Sequence, residues 1–175
     1  MDDIAVYRLD AAGAARQADA LALLLIDCVD GGASVGFLAP LPHERARDYW
    51  QGVVAGVGRG ERVLLVAEDA EGLLGSVQLV PALPDNQPHR ADVAKLLVHR
   101  RARRRGVARA LMAAVEAAAR AAGRRVLVLD TVTGSAADSL YTQCGWQRVG
   151  EIPDYALMPD GRFCATTYFH KQLPP

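Results

Sequence analysis

The sequence predicts a mixed α/β domain: a mostly antiparallel sheet of about six to seven strands with helices on both faces. Three observations carry that prediction. Short alternating or continuously apolar runs recur along the chain, as strands require. Helical-period segments separate several of them. In the middle of the chain a long helical segment lies between two strands, which demands a parallel pair, while short turns elsewhere imply antiparallel hairpins.

Taken in order, Ile4 to Leu9 alternates and reads as the first strand. Ala14 to Cys28 reads as a helix with Ala18, Leu21, Leu25 and Cys28 on one face, stopped by Gly31-Gly32. A Gly- and Pro-rich loop reaches Pro42, and His43 to Val57 forms a second helix carrying Trp50, Val53 and Val54. Arg62 to Glu68 and Leu74 to Val80 are strands of a hairpin turned at Asp69–Gly72. Ala91 to Val98 is a strand that ends in a basic loop, His99 to Arg105. The helix from Val107 to Ala122 presents Val107, Leu111, Val115 and Ala118, and Gly123 terminates it. Val126 to Leu129 is continuously apolar and predicts a strand buried on both faces. Asp130 to Gly134 reads as a loop, Ser135 caps a helix over Ala136 to Gln143, and Gly145 ends it. Trp146 to Ile152 and Cys164 to Lys171 complete the sheet across the Pro159-Asp160-Gly161 turn.

Composition narrows the function. The 175 residues, 51% hydrophobic, suit one domain over 1–175 with a substantial core. A formal net charge of zero argues against a dedicated nucleic-acid binder. Cys28, Cys144 and Cys164 are too few and too scattered for a disulfide framework or a metal site. Leu21 to Ile26, the longest apolar stretch, cannot span a bilayer, and Met1-Asp2-Asp3-Ile4 carries acid where a signal peptide needs base. The expectation is a cytoplasmic protein, monomeric or homodimeric, with no metal, membrane or nucleic-acid partner.

The segment Arg100-Arg101-Ala102-Arg103-Arg104-Arg105-Gly106-Val107-Ala108 lies between a strand end and a helix start. A helix start offers unpaired N–H groups and partial positive charge. Gly106 and the small Ala108 let a ligand approach the backbone, and the arginines suit phosphates. Together they describe an anion cradle of the pyrophosphate-binding type; a solvated basic loop is the plainer alternative.

Arg103-x-x-Gly106-x-Ala108 resembles the acetyl-coenzyme A loop of the GNAT acetyltransferase superfamily. Leu96-Leu97-Val98 is similar to that family's cofactor-facing strand, and Leu140-Tyr141-Thr142-Gln143-Cys144-Gly145-Trp146 to its Tyr-x-x-x-Gly-aromatic signature. Arg90-Ala91-Asp92-Val93-Ala94-Lys95-Leu96, Leu129-Asp130-Thr131 and Pro159-Asp160-Gly161-Arg162 look like a tabtoxin-resistance-type member. The resemblance implies acetyl transfer from acetyl-CoA to the amine of a small molecule. It places the pyrophosphate on the loop spanning Arg103, Arg104, Arg105, Gly106, Val107 and Ala108, with Arg109 assisting, and the pantetheine arm along Leu96, Leu97 and Val98. Many members carry an asparagine after the next strand; here Thr133 or Ser135 would have to serve. Tyr141 would sit near the sulfur, and Asp92 and Asp130 would face the amine, Asp92 standing where close relatives carry the longer glutamate.

The residue types suit this chemistry. A protonated amine cannot attack a thioester until a base such as a carboxylate removes a proton, and the departing thiolate needs a donor such as a tyrosine. Plainer roles stand beside these: Tyr141 packing under a helix, Asp130 capping a turn, Asp92 pairing with Arg90 or Lys95 on a strand surface. The competing functions are a noncatalytic acetyl-CoA-binding or sensing module of GNAT-like fold and a small nucleic-acid binder using the arginine run.

Overall fold

The structure is a computed structural model that describes residues 4–174; the acidic start Met1-Asp2-Asp3 lies outside them. The strands are β1 (Ala5–Leu9), β2 (Val63–Asp69), β3 (Gly72–Pro81), β4 (Arg90–Val98), β5 (Val126–Val132), β6 (Gln147–Leu157) and β7 (Phe163–Gln172). The helices are α1 (Ala11–Arg16), α2 (Ala18–Asp30), α3 (His43–Gly58), α4 (Val107–Ala121) and α5 (Ala136–Gln143). The strands form one seven-stranded sheet ordered β1-β2-β3-β4-β5-β7-β6. Among the described residues only β4 and β5 pair in parallel.

Helices cover both faces, as the hydrophobic pattern predicts. On one face Leu111, Met112 and Val115 of α4 and Tyr141 of α5 pack on Leu127, Leu129 and Phe169. On the other, Leu21, Leu25, Trp50 and Val53 of α2 and α3 pack on Leu64 and Val66. Gly75 shows how tightly α4 lies: a Cβ there would come within 2.5 Å of the Leu97 carbonyl oxygen and 3.0 Å of Leu111.

Several predicted boundaries move. The first helix is two helices, because Asp10 accepts a hydrogen bond from the Gly13 amide at 2.6 Å and starts α1 early, and Gln17 then breaks the run. β5 does not stop at Leu129. Pairing with β7 carries it through Asp130, opposite Tyr168, to Val132, opposite Thr166. Nor is it sealed on both faces: Leu127 and Leu129 are buried, Val126 and Val128 half-buried, and Asp130 exposed. The apolar run ended where backbone pairing did not. β6 likewise extends past Pro153, which an edge strand tolerates.

One irregularity shapes the rest. Ser76 pairs with Leu97 and Gln78 with Ala94, so Lys95 and Leu96 together oppose Val77 in a β-bulge. Lys95 takes a left-handed φ of 52° there. The extra residue flips the side-chain alternation. Ala91 and Val93 face the α4 side before the bulge; Leu96 and Val98 face it afterwards, and Leu97 turns into the α2–α3 core. β4 keeps register with β5 only over Arg90, Ala91 and Asp92, and beyond them the two strands part.

Candidate active site

The parting of β4 and β5 opens a cleft of about 980 Å³. Residues 93–98 of β4 form one wall, with Asp130, Thr131 and Val132 of β5 and the start of α5 opposite. The α4 N-terminus closes one end, and the small-residue loop 31–36 covers another side. With no β5 partner beyond Asp92, this stretch of β4 presents free backbone groups to whatever occupies the cleft. A smaller depression of about 580 Å³ around His89, Gly123 and Arg125 lies at the other end of β5 and gathers no carboxylate or tyrosine.

The helix start is open. Gly106 occupies the N-cap at φ 83° with no side-chain cap, so the first-turn N–H groups of α4 have no side-chain acceptor. A Cβ on Gly106 would meet nothing within 4 Å, which leaves room over the turn. Arg104 is also left-handed, at φ 63°. The arginine run divides by partner. Arg100 binds Asp27 at 2.8 Å, and Arg101 and Arg105 each bind Asp69 at 3.2 Å. Arg101 above all holds the Asp69 carboxyl below its usual range. Arg103, Arg104 and, one turn on, Arg109 line the cleft instead, Arg109 steadied by Gln143 at 3.1 Å. Arg105 therefore departs from the expectation for its side chain: Asp69, in the β2–β3 hairpin, draws it out of the cleft wall. Val107 and Ala108 line the cleft, Val107 buried at its base.

Leu96, Leu97 and Val98 lie on the stretch of β4 that has no β5 partner, and they line the cleft. Of the two asparagine substitutes, Ser135 lines the cleft while its Oγ caps α5 through the Asp138 amide at 3.2 Å. Thr133 does not reach the cleft wall; its hydroxyl shares a 2.8 Å hydrogen bond with Thr167, and its N–H donates to Ala165 in the β5–β7 pairing.

Tyr141 is 6% exposed, its ring tilted against Trp146 at 6.1 Å and Phe169 at 5.8 Å between centroids. It lines the cleft, and among the described residues its hydroxyl has no hydrogen-bond partner. Burial, followed by the Asp130 charge, raises its pKa well above the ordinary phenol value, so it stays protonated. The packing role and the cleft position coexist in one side chain.

Asp130 also lines the cleft. Although its surface is exposed, surrounding protein displaces enough water to raise its carboxyl pKa; Asp92 adds to the shift and Lys95 opposes it. Its carboxylate does not cap the following turn; Asp138 accepts the Gly134 amide there at 2.8 Å. Asp92 stands apart. It lies on the still-paired part of β4, binds Arg90 at 2.7 Å and does not form part of the cleft wall. Its placement matches the plainer reading, because the strands have not yet separated at its position.

Lys95, Cys28 and the loop 31–36 line the cleft without having been singled out from the sequence. A lysine interrupting an apolar strand was the available signal for Lys95. Cys28 donates weakly to the Val98 carbonyl at 3.6 Å, and burial pushes its thiol up to about 11, so it is no nucleophile. Among the described residues no group of three or more His, Cys, Asp or Glu could hold a metal ion, and no helix is long and apolar enough to cross a membrane.

A sheet split at the one parallel pair among the described residues, with a glycine-started helix at one end of the split, gives this chain a cleft that joins a free strand edge to an uncapped helix start. Residues 60–148 match the acetyltransferase (GNAT) domain family. An uncharacterized N-acetyltransferase from the hisH-hisA intergenic region of Azospirillum brasilense is 38% identical over 132 residues, 74% of this chain and 76% of that protein. A GCN5-related N-acetyltransferase from Kribbella flavida superposes with a TM-score of 0.78 at 26% identity, covering 97% of this chain and 98% of that one. The fold is shared with yncA of Salmonella typhimurium, whose structure holds its cofactor acetyl-CoA, at a TM-score of 0.78 and 18% identity over 98% and 94% of the two chains. The chain belongs to the GNAT family and is an acetyl-CoA-dependent acetyltransferase.

Proposed function

We propose that this acetyltransferase acetylates the primary amine of a small molecule by direct attack on the thioester, with no covalent enzyme intermediate. The observation that carries the reading is the meeting, in one cleft, of an acid and a protonated phenol. Asp130 lies on the β5 strand between Leu129 and Thr131, Tyr141 on the helix packed under the opposite face, and both reach the gap where β4 and β5 separate.

The cleft fits the donor. The first-turn amides of α4 with Arg103, Arg104 and Arg109 would hold the pyrophosphate, and the free edge at Leu96 and Val98 would pair with the pantetheine arm. Ser135 lines the same wall. When bound, acetyl-CoA supplies a thioester as electrophile. Asp130, directly or through a water, accepts a proton from the amine; the nitrogen lone pair forms the new C–N bond as the C–S bond breaks. The Tyr141 O–H gives its proton to the departing sulfur. A raised Asp130 pKa strengthens it as a base, and a protonated Tyr141 is ready as the acid. Much of the rate enhancement comes from holding the two reactants together. Asp92 contributes charge to this side of the cleft, acting on Asp130 from its pair with Arg90.

The roof of small residues over 31–36 supports a small acceptor, a class that takes in toxin, amino acid, polyamine and antibiotic amines. The reading includes one catalytic domain over 1–175, working as monomer or homodimer. Free thiols at Cys28, Cys144 and Cys164 support a reducing, cytoplasmic setting. The test is a thiol-release screen with acetyl-CoA against primary amines and peptide N-termini. Turnover confined to peptides would overturn the small-molecule reading.

A further inference from the structure

Lys95 sits where a lysine is costly. Its backbone is held at φ 52°, a conformation that L residues other than asparagine and aspartate rarely adopt. Its side chain runs into the cleft beneath the loop 31–36, where a Cβ on Gly36 would lie 3.6 Å from Nζ. The ammonium stands 5.7 Å from the centre of the Tyr49 ring. The polar groups nearby are committed elsewhere: the Tyr49 hydroxyl accepts from Gln78 Nε2 at 3.0 Å, and Gln78 Oε1 accepts from Arg62 at 2.9 Å. Asp130 attracts Lys95 across the cleft, yet the two form no ion pair within 4.0 Å among the described residues. Burial, with Arg62 adding, works against the charged form, which Asp130 favours. A half-buried cation with no anion of its own lowers stability unless something supplies one.

We propose that Lys95 binds an anionic group, a carboxylate in the first instance, on the acceptor itself, so that the substrate is a small amino acid-like zwitterion lying between Asp130 and Lys95. This rests on the small-molecule reading above and narrows it. The ammonium of such a molecule goes to Asp130, which also takes its proton. The carboxylate goes to Lys95, whose compact charge and three donors suit a single oxygen or a bridging pair. Both charges of the site are then satisfied by one ligand. An uncharged or dicationic amine would leave Lys95 unpaired in the closed complex. A peptide N-terminus would too, since its carboxylate is remote.

The test uses matched amines that differ only in the carboxylate, such as lysine with cadaverine, tyrosine with tyramine and histidine with histamine, beside short peptides. Lys95→Met keeps the unbranched stem and adds no backbone strain beyond that already present. The wild type should favour the carboxylated member of at least one pair, chiefly through KM. In Lys95→Met that preference should fall on the order of ten- to a hundredfold, as expected for losing one hydrogen bond to a charged group. Lys95→Arg should retain part of it. Coenzyme A affinity by calorimetry should hold in both variants. Equal efficiency on both members of every pair, or a preference that survives Lys95→Met, overturns the assignment of Lys95 and leaves the small-molecule reading intact. Turnover of peptides alone overturns both, and that pattern is distinct from the first.

Discussion

Replacing Tyr141 with phenylalanine removes one oxygen and leaves the ring between Trp146 and Phe169. The hydroxyl has no hydrogen-bond partner among the described residues, so no protein contact is lost with it. Stability should hold or rise slightly, since an unpartnered polar atom at a largely buried position stabilises nothing. Acetyl-CoA affinity should also hold, because the sulfur carries no charge before the reaction. The rate is another matter. If the O–H protonates the departing thiolate, its loss costs about a hundredfold in kcat, or about 2.7 kcal/mol of transition-state stabilisation. Purified Tyr141→Phe should be assayed by thiol release with an identified acceptor, alongside its Tm and its coenzyme A affinity. A kcat within a few-fold of wild type, with both controls unchanged, would remove Tyr141 from the proton transfer and leave it as a packing residue.

Gly106→Asp places a carboxylate over the α4 N-terminus and forces a side chain into a φ of 83°; coenzyme A affinity should fall more than tenfold by calorimetry, and an unchanged value would refute the cradle. Asp130→Asn should lower kcat while leaving coenzyme A affinity intact, and equal turnover at limiting amine would clear Asp130 of the base role. The stability effect of Asp130 has a sign. Its folded pKa is raised above its unfolded value, so the native state holds the proton more tightly and stability drops as pH rises through that window. Asp130→Asn should therefore melt higher than wild type near neutral pH, with the difference vanishing below the ordinary carboxylate range. Glu116 is 8% exposed and accepts from Lys171 at 2.8 Å and from Trp146 Nε1 at 3.2 Å. Glu116→Ala leaves the Lys171 ammonium without its anion, held only by the Cys144 carbonyl, and should cost about 3–5 kcal/mol, a Tm loss on the order of ten degrees by calorimetry.

Periodicity in the sequence was enough to place every strand and every helix core except the separate short α1, because burial of one face leaves a regular apolar mark. Local punctuation was equally legible. Ser135 caps α5, and Gly123 and Gly145, at φ 69° and 78°, end α4 and α5 as read. The glycine-started helix after β4 was readable because a helix start after a strand is a local property. What stayed hidden depends on partners distant in sequence. Asp130 looked like the start of a loop, since only pairing with Tyr168 on β7 makes it part of a strand. The five arginines of the run 100–105 look alike in sequence, and only the folded positions of Asp27 and Asp69 separate those that are neutralised from those left to the cleft. The bulge at Lys95 carries no sequence signature, yet by inserting one residue opposite Val77 it reverses the facing of residues 96–98. Sequence fixes what each residue can do locally. Whether Asp92 or Asp130 reaches the cleft depends on where two parallel strands cease to pair, and that is decided by the sheet as a whole.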